Sequence, residues 1–423
     1  MKERIFLFFL IITIPALLLE CNKDKVEIPK LTTTDPTKIS VSSITSGGGI
    51  VTDGGSAIIS RGACWNPRSL ATTEDSKTLD GEGVGNFSSL ISGLNENTIY
   101  SVRAYATNSV GTGYGNEILC RTLSITLLEK GWIIKNSNTT ESLYSVYFPE
   151  PGTGYVVGNL GTILKTTDGG ESWNKNNSGT SKLLRSVYFT DLNIGFAVGD
   201  SGVILKTLNA GSRWTHQNSG IMTRLISVFF IDSNIGWIAG EKGLILKTTD
   251  GGTNWIAQNS ISLSSLYSVI FTDSNTGFCI DRSNIYKTID GGITWVPKYK
   301  LSILNSFFEL SSLFFTNSSN GYVIGGSPEE VNSILLKTTD AGDTWKIERI
   351  PKNLGFKVFF NNIDTGYVIT YRSILKTTDG GVSWATQIST SYSLNSIFAV
   401  NSKTCYAIGD GGAILKTVNG GSN

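Results

Sequence analysis

The feature that most constrains this chain is a short segment that returns at a fixed spacing. ILKTTDGGESW at Ile163–Trp173 recurs in near-copies, the last of which, ILKTVNGGSN, ends at Asn423. Seven tryptophans are separated by 41, 41, 41, 40, 50 and 39 residues. Periods near 40 residues are typical of propeller blades and of helical arrays. The tryptophans are Trp132, Trp173, Trp214, Trp255, Trp295, Trp345 and Trp384.

The content of each repeat favours strands over helices. Every unit has Gly-bearing turns between β-branched or aromatic runs, and no stretch shows a period of 3.6 residues. The first unit divides into LYSVYF, GYVVG, TILKT and WNKNN, which we designate strands a, b, c and d. The sequence therefore predicts an all-β fold in which residues 131–423 form seven four-stranded blades.

The turn between strands c and d carries an Asp-box, S/T-x-D-x-G-x-x-W, as in TTDGGESW. Its Asp accepts hydrogen bonds from turn amides, a role that Asn can fill. The Trp is expected to pack between neighbouring blades, so these residues are assigned a structural role. The seven Asp-box positions are Asp168, Asn209, Asp250, Asp290, Asp340, Asp379 and Asn419.

The two ends of the repeat region complete one another. Trp132 has no Asp-box before it, and the terminal NGGSN has no Trp after it. We therefore expect the strand that starts at Trp132 to be the outer strand of the last blade. Closing the ring in this way removes exposed strand edges.

The first segment has the pattern of a targeting signal. Lys2 and Arg4 precede an apolar run, Ile5–Leu19, which is short for a transmembrane span. The LLEC that follows resembles a bacterial lipoprotein signal, which implies cleavage after residue 20 and a lipid on Cys21. An ordinary secretory signal or an uncleaved anchor helix are the alternatives. Residues 21–30 would be a tether to a membrane of the cell envelope, most simply the outer membrane, facing the periplasm or the exterior.

Residues 31–123 have the alternating short segments of a β-sandwich. GLNENTIYSVRAYATNSVGTGYG resembles the late strands of fibronectin type III domains, with Leu94, Thr98 and Tyr100 at the tyrosine corner. The resemblance implies a spacer or an interaction module. The cysteines after residue 21 are too sparse for a disulfide framework, and a Cys64–Cys120 bond is left open.

The region Trp132–Asn423 resembles the photosystem II stability and assembly factor family, whose blades carry GxxGxILxTxDGGxxW. It also resembles sialidase-type and sortilin-type Asp-box propellers. The first resemblance implies a protein-binding propeller, since the family includes an assembly factor that binds membrane-protein intermediates. We expect an envelope lipoprotein whose propeller binds a protein partner, as an assembly or scaffold factor. The alternative is a glycan-binding or sialidase-like, glycan-cleaving propeller.

Chemistry-bearing residues give little support to catalysis. The net charge of +1 and the 16% of charged residues exclude a nucleic-acid footprint. No three arginines of the ring occupy matching blade positions, and the one histidine, His216, falls on the outer strand d. No His, Cys, Asp or Glu group has metal-ligand spacing. We expect no catalytic residue, metal or cofactor, although a carboxylate pair distant in sequence stays open.

Departures from the repeat point to a partner-binding surface. Four b–c turns are short and Gly-bounded, but three consecutive units read DRSN, GGSPEEVNS and TYRS. A second insertion, after strand d of the fourth unit, is expected on the same face. Loops on rigid scaffolds carry binding chemistry, and Tyr and Arg are common hot-spot residues, while neutral drift is the alternative. The candidate residues are Asp281, Arg282, Lys298, Tyr299, Glu329, Glu330, Tyr371 and Arg372.

Two lysine patterns complete the candidates. Lys357 stands in strand a where the other six units have Ser, so it could meet an anionic group near the channel or extend into solvent. Strand c has a lysine in every unit, Lys165 in the first. Strand c lies away from the axis, so we expect these stems to cover neighbouring blades and their ammonium groups to reach water.

Overall fold

The computed structural model describes residues 26–67, 69–123, 131–259, 262–301, 308–327, 333–350 and 355–421. Regular structure in these ranges is β-strand apart from four single 3₁₀ turns. No helix in them is long and apolar enough to cross a membrane. The predicted signal peptide, Cys21, Glu329 and Glu330 lie outside the described residues.

Eight strands precede the repeats and form two sheets. One sheet has the order β1-β2-β5, and the other β4-β3-β6-β7 with β8 paired to β6. Their inner faces share a core in which Ile44 and Ile91 of the first sheet meet Val102 of the second. The strands are β1 Lys30–Thr33, β2 Ser43–Thr52, β3 Ser60–Asn66, β4 Ser76–Lys77, β5 Gly85–Ser92, β6 Ile99–Thr107, β7 Thr112–Tyr114 and β8 Ile118–Arg121.

Tyr100 has the contact expected of a tyrosine corner. Its hydroxyl accepts a hydrogen bond of 3.0 Å from the amide of Asn95, five residues upstream. The fibronectin type III assignment itself stays a prediction. Cys64 and Cys120 are both buried free thiols, and they lie in different apolar clusters.

The repeats form seven four-stranded antiparallel sheets, the blades. In order a to d, blade one comprises Leu143–Tyr147, Gly154–Gly158, Ile163–Thr166 and Asn174–Asn176; blade two Leu184–Phe189, Gly195–Gly199, Ile204–Thr207 and Thr215–Gln217; blade three Leu225–Phe230, Gly236–Gly240, Ile245–Thr248 and Ile256–Ala257; and blade four Ser268–Phe271, Gly277–Ile280, Asn284–Thr288 and Val296–Lys300. Blade five comprises Glu309–Phe315, Gly321–Gly326, Ser333–Thr338 and Lys346–Ile350; blade six Gly355–Phe360, Gly366–Thr370, Ser373–Thr377 and Ala385–Ser389; and blade seven Leu394–Ala399, Cys405–Gly409, Ile414–Thr417 and Trp132–Lys135.

Blade seven combines both ends of the repeat region. Trp132 pairs with Thr417 and Lys135 with Ile414, so the first strand of the region lies beside the last. On the other side of this blade, Tyr406 stacks on Phe148 of blade one with ring centroids 4.2 Å apart. The core of the C-terminal region is thus a circle of packed blades.

A size exchange inside the repeat shows how the strand pairs pack. Strand b of blade one starts with Gly154, where an added Cβ would lie 2.4 Å from the ring of Phe148 in the a–b connection. Blade seven reverses the sizes, because Cys405 replaces the glycine and its cross-strand partner is Ala399 instead of an aromatic residue. The two positions therefore change together, as expected for a close-packed core.

The Asp-box turns are held by the predicted bonds. The Asp168 carboxylate accepts from the amides of Glu171 at 2.9 Å and Ser172 at 3.0 Å. Burial alone would raise the pKa of Asp168, but bonds from Ser172 and Thr166 outweigh it and lower the pKa to about 2. In blade two, Asn209 accepts from the amide of Arg213 in the same way. The tryptophans pack against the preceding blade, as Trp214 does in the cluster that contains residues of blade one.

The strand c lysines are a point on which the expectation was wrong. Their ammonium groups are not free in solvent: each one binds the Asp-box turn of the next blade, and each lies 5.4–5.8 Å from the centre of a strand b aromatic ring. Five bind carbonyl oxygens: Lys165 at Ala210, Lys206 at Gly251, Lys247 at Gly291, Lys337 at Gly380 and Lys376 at Gly420. Two bind carboxylates: Lys287 at Asp343 and Lys416 at Glu171. The last of these joins blade seven to blade one.

Candidate partner-binding face

Backbone contacts define the two faces of the ring. The Asp200 amide in a b–c turn binds the Leu183 carbonyl in a d–a connection at 2.9 Å. The Gly169 amide in an Asp-box binds the Gly152 carbonyl in an a–b turn at 2.8 Å. The b–c and d–a turns therefore share one face, called here the b–c face, and the Asp-box and a–b turns share the opposite Asp-box face.

The four short b–c turns have one conformation. They are 3₁₀ turns whose middle residue has a positive φ, such as 49° at Leu160 and 60° at Ser201. A glycine follows, and in blade two an added Cβ at Gly202 would lie 1.8 Å from the carbonyl oxygen of Ile221. These turns are consequently fixed by close backbone packing.

Asp281 is the clearest correction among the candidate residues. Its side chain is buried, with 2% exposure, so it cannot present a carboxylate to a partner. It accepts from the amides of Ser283 at 2.9 Å and Asn284 at 2.7 Å, and from the Tyr286 hydroxyl at 2.8 Å. Burial opposes ionisation, yet these donors hold the pKa of Asp281 below its usual value. Its role is to shape the blade four turn.

Arg282, Tyr371 and Arg372 do lie on the b–c face. Arg282 is exposed and pairs with Glu309 at 3.1 Å. Tyr371 is 42% exposed, and the Arg372 guanidinium carbon lies 4.9 Å from the centre of its ring. The Ser393 hydroxyl and then the Arg372 charge lower the pKa of Tyr371. Blade five separates the Arg282 turn from the other two residues.

Lys298 is placed differently from the prediction. Lys298 donates at 2.8 Å to Asp343, which belongs to the Asp-box turn of blade five, so it points away from the b–c face. That bond and a second from Lys287 lower the pKa of Asp343. Tyr299 is half-buried against the apolar cluster between blades four and five, and burial raises its pKa. Lys298 therefore does not extend a common patch with Arg282, whereas Tyr299 pairs with Ile285, beside the b–c turn of blade four.

A chain of charges across blades two and three was missed by the sequence analysis. Arg185 pairs with Asp200 at 2.6 Å, Arg224 with Asp200 at 3.1 Å, and Arg224 with Glu241 at 3.2 Å. The sequence does contain a signal for it, because the b–c turns of blades two and three each begin with an acidic residue, Asp200 and Glu241. The prediction considered only the b–c turns that differ from the short Gly-bounded pattern. These ion pairs give the b–c face of blades two and three a fixed pattern of alternating charge.

The N-terminal sheets contact the b–c face at blade seven. Arg121 at the end of β8 donates to the Gly411 carbonyl at 3.2 Å, and its guanidinium carbon lies 4.5 Å from the centre of the Tyr392 ring. Asn97 binds Ser391 at 3.0 Å and accepts from the Tyr392 hydroxyl. These contacts lie at the b–c turn of blade seven and at the connection that leads into it from blade six.

The central channel has an aromatic collar near the Asp-box face. Strand a residues contact their counterparts in the next blade, with ring centroids 4.9–5.3 Å apart. Blade four contributes Ile270 at this level. The collar residues are Tyr147, Tyr188, Phe229, Phe314, Phe359 and Phe398.

Lys357 is two residues before Phe359 on the same strand, so both side chains lie on the face of blade six that turns to blade seven. At the equivalent position of other blades, Ser hydroxyls accept from the next blade, as Ser145 does from the Val187 amide at 3.2 Å. Lys357 is partly buried where it meets the channel, and burial lowers its pKa.

The fold and the site define the protein as a seven-bladed Asp-box β-propeller whose b–c face carries both ion pairs and exposed Tyr and Arg side chains. The profile described as "Photosynthesis system II assembly factor YCF48" matches residues 125–216, 177–265 and 257–357, which together span more than half of the chain. The chain therefore belongs to that family. No curated protein sequence matches it.

Solved structures show the same fold at low sequence identity. In a structure of YCF48 bound to D1 peptide, the YCF48 chain is 19% identical in sequence to this chain. The match covers 68% of this chain and 97% of the YCF48 chain, with a TM-score of 0.58. YCF48 from Cyanidioschyzon merolae is 19% identical in sequence, and the match covers 68% of this chain and 98% of the YCF48 chain with a TM-score of 0.57. A GH74 xyloglucanase from Xanthomonas campestris is 13% identical in sequence, and the match covers 68% of this chain and 53% of the xyloglucanase chain with a TM-score of 0.55.

Proposed function

We propose that this protein is a binding and assembly factor of the cell envelope, whose propeller holds a protein partner on the b–c face. The single observation that carries the proposal is the family membership, because YCF48, which has the same fold, is seen in a solved structure bound to D1 peptide. The proposed anchor is a lipid on Cys21, and the N-terminal sheets would act as a spacer.

The b–c face is the favoured surface because it differs from blade to blade. The Asp-box face repeats one turn seven times, and each Asp-box carboxylate or amide is used inside its turn, as at Asp250 and Asp290. The b–c face instead presents the Arg185–Asp200 pair, the Arg282–Glu309 pair and the Tyr371 turn at different blades. Mixed charge with exposed Tyr and Arg suits a protein partner.

Glycan cleavage is the rival function, and the xyloglucanase structure shares the fold. Glycoside hydrolysis uses two carboxyl groups that flank the bond to be cleaved. On the described part of the b–c face, Asp200, Glu241 and Glu309 each pair with an arginine. Asp281 is buried in its turn, and Asp410 accepts a hydrogen bond from Asn395 at 3.0 Å. Carboxylates held in this way favour binding over acid–base chemistry.

The test is capture of partners from detergent-solubilised envelope by the intact lipoprotein. Replacing Arg282, Tyr371 and Arg372 together with Ala should weaken capture at least tenfold and leave the melting temperature unchanged, because all three side chains are on the surface. The control replaces Ile293, Ile363 and Val382 with Ala, which are exposed on the Asp-box face. Equal capture by the wild type and the first variant would contradict the proposed surface.

A further inference from the structure

The inner wall of the ring contains one charge that no described residue neutralises. The charged side chains on the seven strands a, all of which are described, are Arg185, Glu309 and Lys357. Arg185 pairs with Asp200 and Glu309 with Arg282. Lys357 makes neither an ion pair nor a hydrogen bond with any described residue.

The repeat shows that the fold does not need a lysine at this position. Six blades have Ser there, and four of these hydroxyls accept from the backbone of the next blade: Ser145, Ser186, Ser227 and Ser312. An ammonium group that is partly buried without a counter-ion costs free energy, because it loses part of its hydration without gaining a partner. The substitution in blade six therefore works against stability.

The surroundings of Lys357 define what could bind it. Phe359 lies on the same strand face, and its ring contacts Phe314 and Phe398 at 4.9 and 5.0 Å. Towards the b–c face, Asn395 of blade seven is held by Leu143 and Asp410 at 2.9 and 3.0 Å. A cation above a ring of aromatic groups suits a small anionic head with a flat apolar body.

We propose that the central channel is a binding site for a carboxylate, which enters from the b–c face and pairs with the Lys357 ammonium. The carboxylate belongs to a free aromatic acid or to the C-terminus of a peptide. The inference rests on the proposed function for the direction of entry. The site itself requires only the channel and Lys357.

The experiment titrates the full-length protein with benzoate by calorimetry, and with benzamide as the neutral isostere. We expect saturable benzoate binding, at least tenfold weaker binding of benzamide, and at least a tenfold loss of benzoate affinity in Lys357→Ser. The Ser variant should fold, since it restores the residue of the other blades. Lys403→Ser, at an exposed a–b turn, makes the same charge change and should bind benzoate normally.

A second arm compares acetyl-Gly-Gly-Phe with its C-terminal amide. Binding of the free acid peptide assigns the site to peptide termini, and binding of benzoate alone assigns it to small acids; both support the carboxylate site. Absence of benzoate and peptide binding, or equal binding by Lys357→Ser, overturns it. Loss of partner capture in the Arg282, Tyr371 and Arg372 variant with intact benzoate binding separates this site from the proposed function.

Discussion

Replacing Trp132 with Ala tests whether the strand before the first blade is part of the ring. Trp132 is fully buried and belongs to the apolar cluster of blades six and seven, although it lies 282 residues before Ile414, the start of strand c in its own blade. Removing a buried Trp side chain costs about 3–5 kcal/mol, from lost transfer free energy and from the cavity left behind. We expect a loss of stability in that range.

The matched variant is Trp214→Ala, which removes the equivalent side chain between blades one and two, where the chain is continuous. Both variants should lower the midpoint of urea unfolding by similar amounts, as followed by far-UV circular dichroism, which does not depend on the missing fluorophore. Suppose that Trp132→Ala lowers the free energy of unfolding by less than about 1 kcal/mol, while Trp214→Ala lowers it by about 3–5 kcal/mol. The strand that starts at Trp132 would then not stabilise blade seven, and the proposed closure of the ring would be refuted.

Two further predictions concern the turns that join neighbouring blades. The pKa of Asp250 is lowered to about 2 by bonds from Asn254, below the value near 3.9 of an unfolded chain, so its stabilisation is present above pH 4 and is lost as the pH falls towards 2. Asp250→Asn should keep the turn, as Asn209 does in blade two, and should flatten the fall of melting temperature between pH 4 and pH 2; an unaltered slope refutes this. Lys165→Met should lower the free energy of unfolding by about 1–2 kcal/mol, because it keeps the stem but removes the charged bond to the Ala210 carbonyl. The exposed Lys175→Met is its control, and equal effects of the two changes would show that the bond contributes nothing.

The fold was predictable because its signal is repeated seven times. Each blade has the same turn chemistry, so an irregular blade such as blade four does not obscure the period. Even the pairing of Trp132 with the last strand could be predicted, since an Asp-box without its Trp requires one from elsewhere. The lysine contacts were missed because sequence gives position along a strand but not the distance to the next blade's turn.

The candidate site was less predictable, because loops follow local geometry instead of the repeat. Asp281 was selected as a departure from the turn pattern, but its own turn explains the residue: blade four lacks the glycines of the 3₁₀ turn, and the Asp281 carboxylate binds the turn amides instead. Lys298 was predicted to lie on the b–c face because it belongs to an inserted d–a connection, yet its long side chain reaches Asp343 in an Asp-box turn. Burial decides the first case and side-chain direction the second, and neither can be inferred from a single sequence.

Photo-cross-linking tests the proposed binding face most directly. A photoreactive phenylalanine analogue at Tyr371 reports contacts of the b–c face, and the same analogue at the exposed Ile363 reports those of the Asp-box face. With the intact protein in native envelope, the account predicts a discrete adduct from position 371 and none from position 363. An adduct from position 363 alone, or from neither position while the partner is captured, would contradict it.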